Sequence, residues 1–199
     1  MQFPEPLFTR LLKPLIFACA LIPAILMGWG IWQDSLGANP IEAVTRSTGD
    51  WALRFLLLTL SLSTLRRLSG WTQGIRLRRM LGLFAFFYAS VHLILYLWLD
   101  QFFDWSGIWH DILKRPFITV GMLAFLMLIP LAITSPKAML RRLGKRWKTL
   151  HSLIYPLSIL AVLHFWWMKD AKSDVSEPLI YALILAALLG ERLYQRFKA

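Results

Sequence analysis

A single cysteine, Cys19, stands among the 199 residues. That excludes an intrachain disulfide, a cysteine-ligated iron–sulfur cluster and any covalent Cys-x-x-Cys-His attachment of a cofactor. No Gly-x-Gly-x-x-Gly run or other phosphate-binding loop occurs, so the chain does not itself bind NAD(P)H in the usual way. Acidic side chains are few, 11 against 22 Lys and Arg, for a formal net charge of +11. Histidines are scarcer still, four in all: His92, His110, His151 and His164.

Apolar residues fill the chain instead. They make up 57% of it, with ten Trp and a mean hydropathy of +0.55, more than a soluble domain of this length carries. The chain reads as an integral membrane protein. A hydrocarbon core about 30 Å thick needs roughly 20 apolar residues per helix. Runs between charged or turn-rich punctuation give six spans: Leu15–Trp32, Trp51–Leu65, Met80–Leu99, Phe117–Ile133, Leu150–Trp167 and Leu179–Tyr194. The second and last are short and take in flanking residues. The expected architecture is an all-α bundle of six transmembrane helices in one domain over residues 1–199. The first span follows Arg10 and Lys13 as a signal peptide's would, but Pro23 and the tryptophans at its end mark it as retained, and no small-x-small cleavage site follows.

Such a charge on a soluble protein would suggest nucleic acid; its distribution here points to a membrane. Basic residues crowd alternate connections: Arg10 and Lys13; Arg66, Arg67, Arg76, Arg78 and Arg79; Lys137, Arg141, Arg142, Lys145, Arg146 and Lys148; Arg192, Arg196 and Lys198. By the positive-inside rule both termini are cytoplasmic. The opposite loops hold few basic residues, Arg46, Lys114, Arg115, Lys169 and Lys172. They also carry Asp34, Glu42, Asp50, Asp100, Asp104, Asp111, Asp170, Asp174 and Glu177. That acidic face serves solvation or the docking of a basic partner. The most basic loop, up to Lys148, suits anionic lipid and also a cytosolic electron donor or a flavin phosphate.

Along the chain, Gln33–Asp50 reads as turns, with Ser47, Thr48 or Asp50 capping the second span. Thr59, Ser61, Ser63 and Thr64 read as helix-packing contacts. Arg54, about one turn inside the outer interface, either snorkels to headgroups or meets a cofactor carboxylate. Ile108–Leu113 suggests a short interfacial helix that carries His110, with Lys114 and Arg115 following as carboxylate partners. The fourth span, Phe117–Ile133, ends over Pro130 and then Thr134-Ser-Pro136.

His92 and His164 lie on two very apolar helices. An ionisable side chain at membrane depth is costly unless partnered, and neutral imidazole is a common metal ligand. The expected partner is haem iron, clamped non-covalently between His92 and His164. At about 1.5 Å per residue, His92 lies about 10 Å inside Leu99 and His164 about 5 Å inside Trp167. Gly82, Ala85 and Ala89 form a small-residue stripe on the His92 face, suited to a flat macrocycle or to close helix packing. His151 either ligates a second haem or bonds backbone or headgroups at the interface. In a straight helix the thirteen residues to His164 place the two roughly 220° apart, although Pro156 between them can kink the helix.

Three runs, ILKRPFITVG (Ile112 to Gly121), WKTLHSLIY (Trp147 to Tyr155) and VLHFWW around His164, carry a resemblance over Leu15 to Arg196. The chain resembles the MsrQ or YedZ family, haem-binding membrane subunits of the bacterial methionine sulfoxide reductase system, within the ferric-reductase-like transmembrane superfamily. The resemblance implies b-type haem on His92, His164 and His151, one haem or two, and bound FMN. It also implies a multi-pass place in the bacterial inner membrane, with electrons arriving from the quinone pool or a cytosolic flavin reductase. They would leave to a periplasmic molybdopterin catalytic subunit (MsrP-like) that repairs oxidised proteins and itself does the sulfoxide chemistry. Superfamily members with two stacked haems place two histidines on each of two helices. Fourteen residues before His92 stands Arg78, a departure from that pattern, and it is counted with Arg115 among the cofactor-binding candidates. Against this stand a haem-free membrane anchor and a proton or solute transporter with buried histidines. The charge-poor spans and the want of a repeated half argue against transport.

Overall fold

The computed structural model describes residues 3–170 and 175–198; Lys172 and Asp174, assigned above to an outer loop, lie outside the described residues. All regular structure among the described residues is helical. The chain forms two compact units, Met1–Phe103 and Asp104–Ala199.

The first unit holds α1 (Glu5–Trp32), α2 (Pro40–Ser69) and α3 (Thr72–Asp100). Side-chain contacts fix their directions. Gln73 exchanges two bonds with the backbone of Phe3 (2.6 and 2.8 Å), and Arg76 pairs with Glu5 at 2.6 Å, so α1 and α3 begin together. Further along, the Tyr88 hydroxyl donates to the Ala20 carbonyl (2.8 Å) and accepts from the Ala24 amide (3.2 Å), so the two helices run parallel. Helix α2 runs back between them: Gly82 on α3 faces Thr59, and His92 faces Thr45. Phe55 stacks on both Phe84 (5.5 Å) and Tyr88 (5.4 Å) at the centre.

The second unit holds α4 (Trp105–Lys114), α5 (Pro116–Ile133), α6 (Lys137–Leu143), α7 (Lys145–His151), α8 (Ile154–Asp170) and α9 (Ser176–Lys198). The α7–α8 run is antiparallel to α5, with Trp147 at Thr134 and His164 at Phe117. Helix α9 is antiparallel to α8, tied by Lys169–Glu177 (3.0 Å), Phe165–Tyr181 (5.7 Å) and the Arg192 guanidinium over Tyr155 (5.1 Å).

By length and composition, four stretches can cross a membrane: Glu5–Trp32, Thr72–Asp100, Pro116–Ile133 and Lys145–Lys169. Only 17% to 22% of the residues in their apolar windows are buried by protein. Leu, Ile and Trp side chains such as Leu15, Ile25, Trp29, Leu126 and Ile159 are exposed, as in a protein whose outer solvent is lipid.

Several sequence expectations are corrected here. The second helix begins at Pro40, eleven residues before the expected Trp51. Asn39 accepts the Glu42 amide and Pro40 occupies the first turn, a stronger start than any later cap. Ser47, Thr48 and Asp50 are therefore helical, and the Thr48 hydroxyl bonds back to the Val44 carbonyl at 2.9 Å. Arg54 lies fourteen residues along the helix, about 21 Å from its start. Helix α5 ends at Ile133, as the expected fourth span does, with Pro130 in its last turn. The long helix expected through Pro156 is interrupted at Ser152–Leu153: proline cannot donate to the carbonyl at 152, and Tyr155 bonds Ser152 instead.

Candidate functional site

His92 sits near the end of the α-helical part of α3, Arg78–Leu95. Its Nδ1 lies 2.7 Å from the Thr45 carbonyl oxygen on α2. A carbonyl only accepts, so Nδ1 carries the proton and the metal-binding lone pair is on Nε2. The ring reaches that oxygen over Gly49, where an added Cβ would stand 3.1 Å from Nδ1.

His164 repeats the arrangement inside the second unit. Its Nδ1 lies 2.6 Å from the Phe117 carbonyl in the first turn of α5, and a Cβ at Gly121 would stand 2.7 Å from Nδ1. Counted to its own helix end at Asp100, His92 lies about 12 Å in, and His164 lies about 9 Å from the end of its helix at Asp170. His151 differs. It bonds the carbonyl of Trp147 on its own helix at 3.2 Å and stacks on that indole at 3.8 Å, while the indole N–H donates to the Thr134 carbonyl at 2.9 Å. No group of three or more His, Cys, Asp or Glu suited to a metal ion occurs among the described residues. Imidazoles of this kind suit a metal whose other coordination positions are already filled, as in a porphyrin.

Residues 48–162 match the family described as ferric reductase like transmembrane component. A relative from Herminiimonas arsenicoxydans is 53% identical over 192 residues, 96% of this chain and 88% of its own. One from Xanthomonas euvesicatoria pv. vesicatoria is 54% identical over 94% of this chain and 88% of its own. One from Azospira oryzae is 53% identical over 98% of this chain and 84% of its own. Each is named protein-methionine-sulfoxide reductase heme-binding subunit MsrQ. The chain belongs to the MsrQ family. No solved structure matches it.

The remaining candidates of this MsrQ-family chain fall as follows. The family match holds His92 and His151 but stops two residues before His164. Arg78 is half-buried at the first α-helical position of α3. Arg115 pairs with the buried Asp111 at 3.3 Å. The Arg54 guanidinium lies 4.8 Å from the Trp51 ring centre. His110 is exposed on α4, whose Trp105, Trp109 and Leu113 form an exposed apolar ridge at i, i+4 and i+8, as an interfacial helix needs. In the small-residue stripe, Gly82 faces the Thr59 methyl and Ala85 is 1% exposed, so there it serves close helix packing. Thr59 and Ser61 turn their hydroxyls to carbonyls of their own helix, Phe55 and Leu58, and not across helices.

Sequence reasoning missed Thr45, Gly49, Phe117 and Gly121. The only trace they leave in the sequence is a glycine standing 43 positions before each of two histidines (49 to 92, 121 to 164).

Proposed function

We propose that the chain carries electrons across the bacterial inner membrane as the haem-binding subunit of a methionine sulfoxide reductase system. It acts as one domain over residues 1–199 with six spans and both ends cytoplasmic. Helices α2 and α9 complete the four more apolar spans, their mean hydropathy lowered by the charges they carry, Asp50 and Arg54 inside α2 among them. The observation that supports the reading is that His92 and His164 share one arrangement, Nδ1–H to a main-chain carbonyl, which puts the lone pair a metal would take on Nε2. When bound, a b-type haem supplies a one-electron iron couple. His92 and His164 would hold it through Nε2, and an iron held by both imidazoles would pass electrons without binding oxygen. The carbonyls of Thr45 and Phe117 make the imidazoles more basic and so favour the oxidised metal.

His151 has the tautomer a ligand needs, by way of its bond to Trp147, and is the candidate for a second haem. Arg78, Lys114 and Arg115 supply cations for propionates. FMN, a quinone or flavin-reductase donor and a periplasmic molybdopterin partner are implied by the resemblance to the family. The exposed Arg141, Arg142, Lys145 and Arg146 offer the charge that a flavin phosphate or anionic lipid would meet.

The test is a reduced-minus-oxidised spectrum of the purified protein. Wild type shows a b-type band that His92→Ala and His164→Ala abolish. A wild type without the band would leave the anchor or transport reading, and a His164→Ala protein with full haem would overturn the ligand assignment.

A further inference from the structure

The two histidine holders are one device used twice. The acceptor carbonyl, the glycine and the histidine recur 72 positions on: 45 to 117, 49 to 121, 92 to 164. In each case the acceptor lies four residues before the glycine. That spacing has a physical reason. In an α-helix the carbonyl of residue i points along the axis toward residue i+4, and a side chain approaching it from a neighbouring helix must pass over the Cβ of that residue. With glycine at i+4 the path is open, and the carbonyl can take an imidazole N–H beside its helical bond. Helix direction agrees as well, since in both cases the start of the first helix meets the end of the second.

We infer that Gly49 and Gly121 are positioning residues for the two histidines, and that each acts by exposing the carbonyl one turn earlier as the Nδ1–H acceptor. This rests on the reading that both rings ligate haem. The two sites are not equally tight. A Cβ at Gly49 would be 3.1 Å from the His92 Nδ1, which the ring relieves by a shift of a few tenths of an ångström. At Gly121 the separation would be 2.7 Å, and the His164 ring must leave its place. Gly82 is the internal control: it lies on the helix that bears His92 and faces α2, but an added Cβ there makes ordinary contact with the Thr59 side chain, 3.7 Å from its methyl and 3.9 Å from its hydroxyl oxygen.

The experiment compares wild type, Gly49→Ala, Gly121→Ala and Gly82→Ala as full chains in membranes, each normalised to the amount of inserted protein. Haem per polypeptide, low-spin EPR g-values and the midpoint potential are read. A wild type without haem defeats the proposed function and not this inference. Given haem in wild type, losing or lengthening the Nδ1–H bond makes the imidazole less basic, so the potential shifts upward and the g-values move. Gly121→Ala is expected to show the larger change, up to loss of haem, Gly49→Ala a smaller shift with haem kept, and Gly82→Ala none. Where Gly121→Ala does not accumulate, Gly49→Ala decides. Wild-type potential and g-values in the glycine variants that accumulate, or an equal shift in Gly82→Ala, would overturn the inference.

Discussion

Tyr88 is fully buried, one turn before His92 on α3, and its hydroxyl bridges a donor and an acceptor one turn apart on α1. Removing only that oxygen, in Tyr88→Phe, leaves the ring stacked on Phe55 at 5.4 Å and edge-on to Phe87 at 5.1 Å. Two bonds are lost. Side-chain hydrogen bonds inside membrane proteins average about 0.6 kcal/mol each, so the gross loss is about 1.2 kcal/mol. Part of it returns, because the Ala24 amide and Ala20 carbonyl are i and i−4 on one helix and bond each other once the hydroxyl is gone. The expected cost is therefore about 1 kcal/mol or slightly less. Tyr88→Ala also removes the ring from the middle of a packed cluster and costs about 3–5 kcal/mol. Reversible unfolding in mixed detergent micelles, followed by tryptophan fluorescence, measures both. Because the hydroxyl ties α1 and not the histidine, Tyr88→Phe keeps the wild-type haem spectrum. A Tyr88→Phe cost as large as that of Tyr88→Ala would refute the reasoning, since the oxygen and not the ring would then hold the helices together.

Other outcomes follow from the same structure. His151→Ala retains the haem band that His92→Ala and His164→Ala lose, because its Nδ1 bonds the Trp147 carbonyl of its own helix where theirs bond a neighbouring helix; iron and haem per polypeptide check this, and complete loss of the band would contradict it. Gly74→Ala forces a Cβ to within 2.6 Å of the Trp71 ring and costs about 1–3 kcal/mol in unfolding. Gly190→Ala, with nothing within 4 Å on an exposed face of α9, stabilises by about 0.5–1 kcal/mol in the same assay.

Much of the architecture was legible in the residues. Five of the six apolar runs fall within one continuous helical stretch, and the other, Leu150–Trp167, is helical on both sides of its break at Ser152–Leu153, because run length and flanking charge are properties of composition. The start of α2 was misread for a local reason: Asn39-Pro40 serves equally as a turn and as a helix cap, and only the amphipathic stretch after it, with Val44 and Thr48 buried, decides. Pro156 was seen as a source of irregularity, but a break at Ser152–Leu153, one turn earlier, follows from which carbonyl the proline leaves without its donor. The histidines were picked out by chemistry, as rare polar groups in apolar helices. Their holders were not, because the acceptors are main-chain atoms of a threonine and a phenylalanine, residues with no side-chain property in common.

That last point bears on how such proteins drift. With the proton acceptor supplied by the peptide backbone, positions 45 and 117 are free to exchange hydroxyl for phenyl without altering imidazole tautomer or basicity, whereas a single methyl at 49 or 121 is not tolerated in the same way. Divergent homologues would then keep a helical glycine opposite each axial histidine while the residue one turn earlier varies without restriction, and a search for that pairing should find holders of this kind where side-chain similarity has faded.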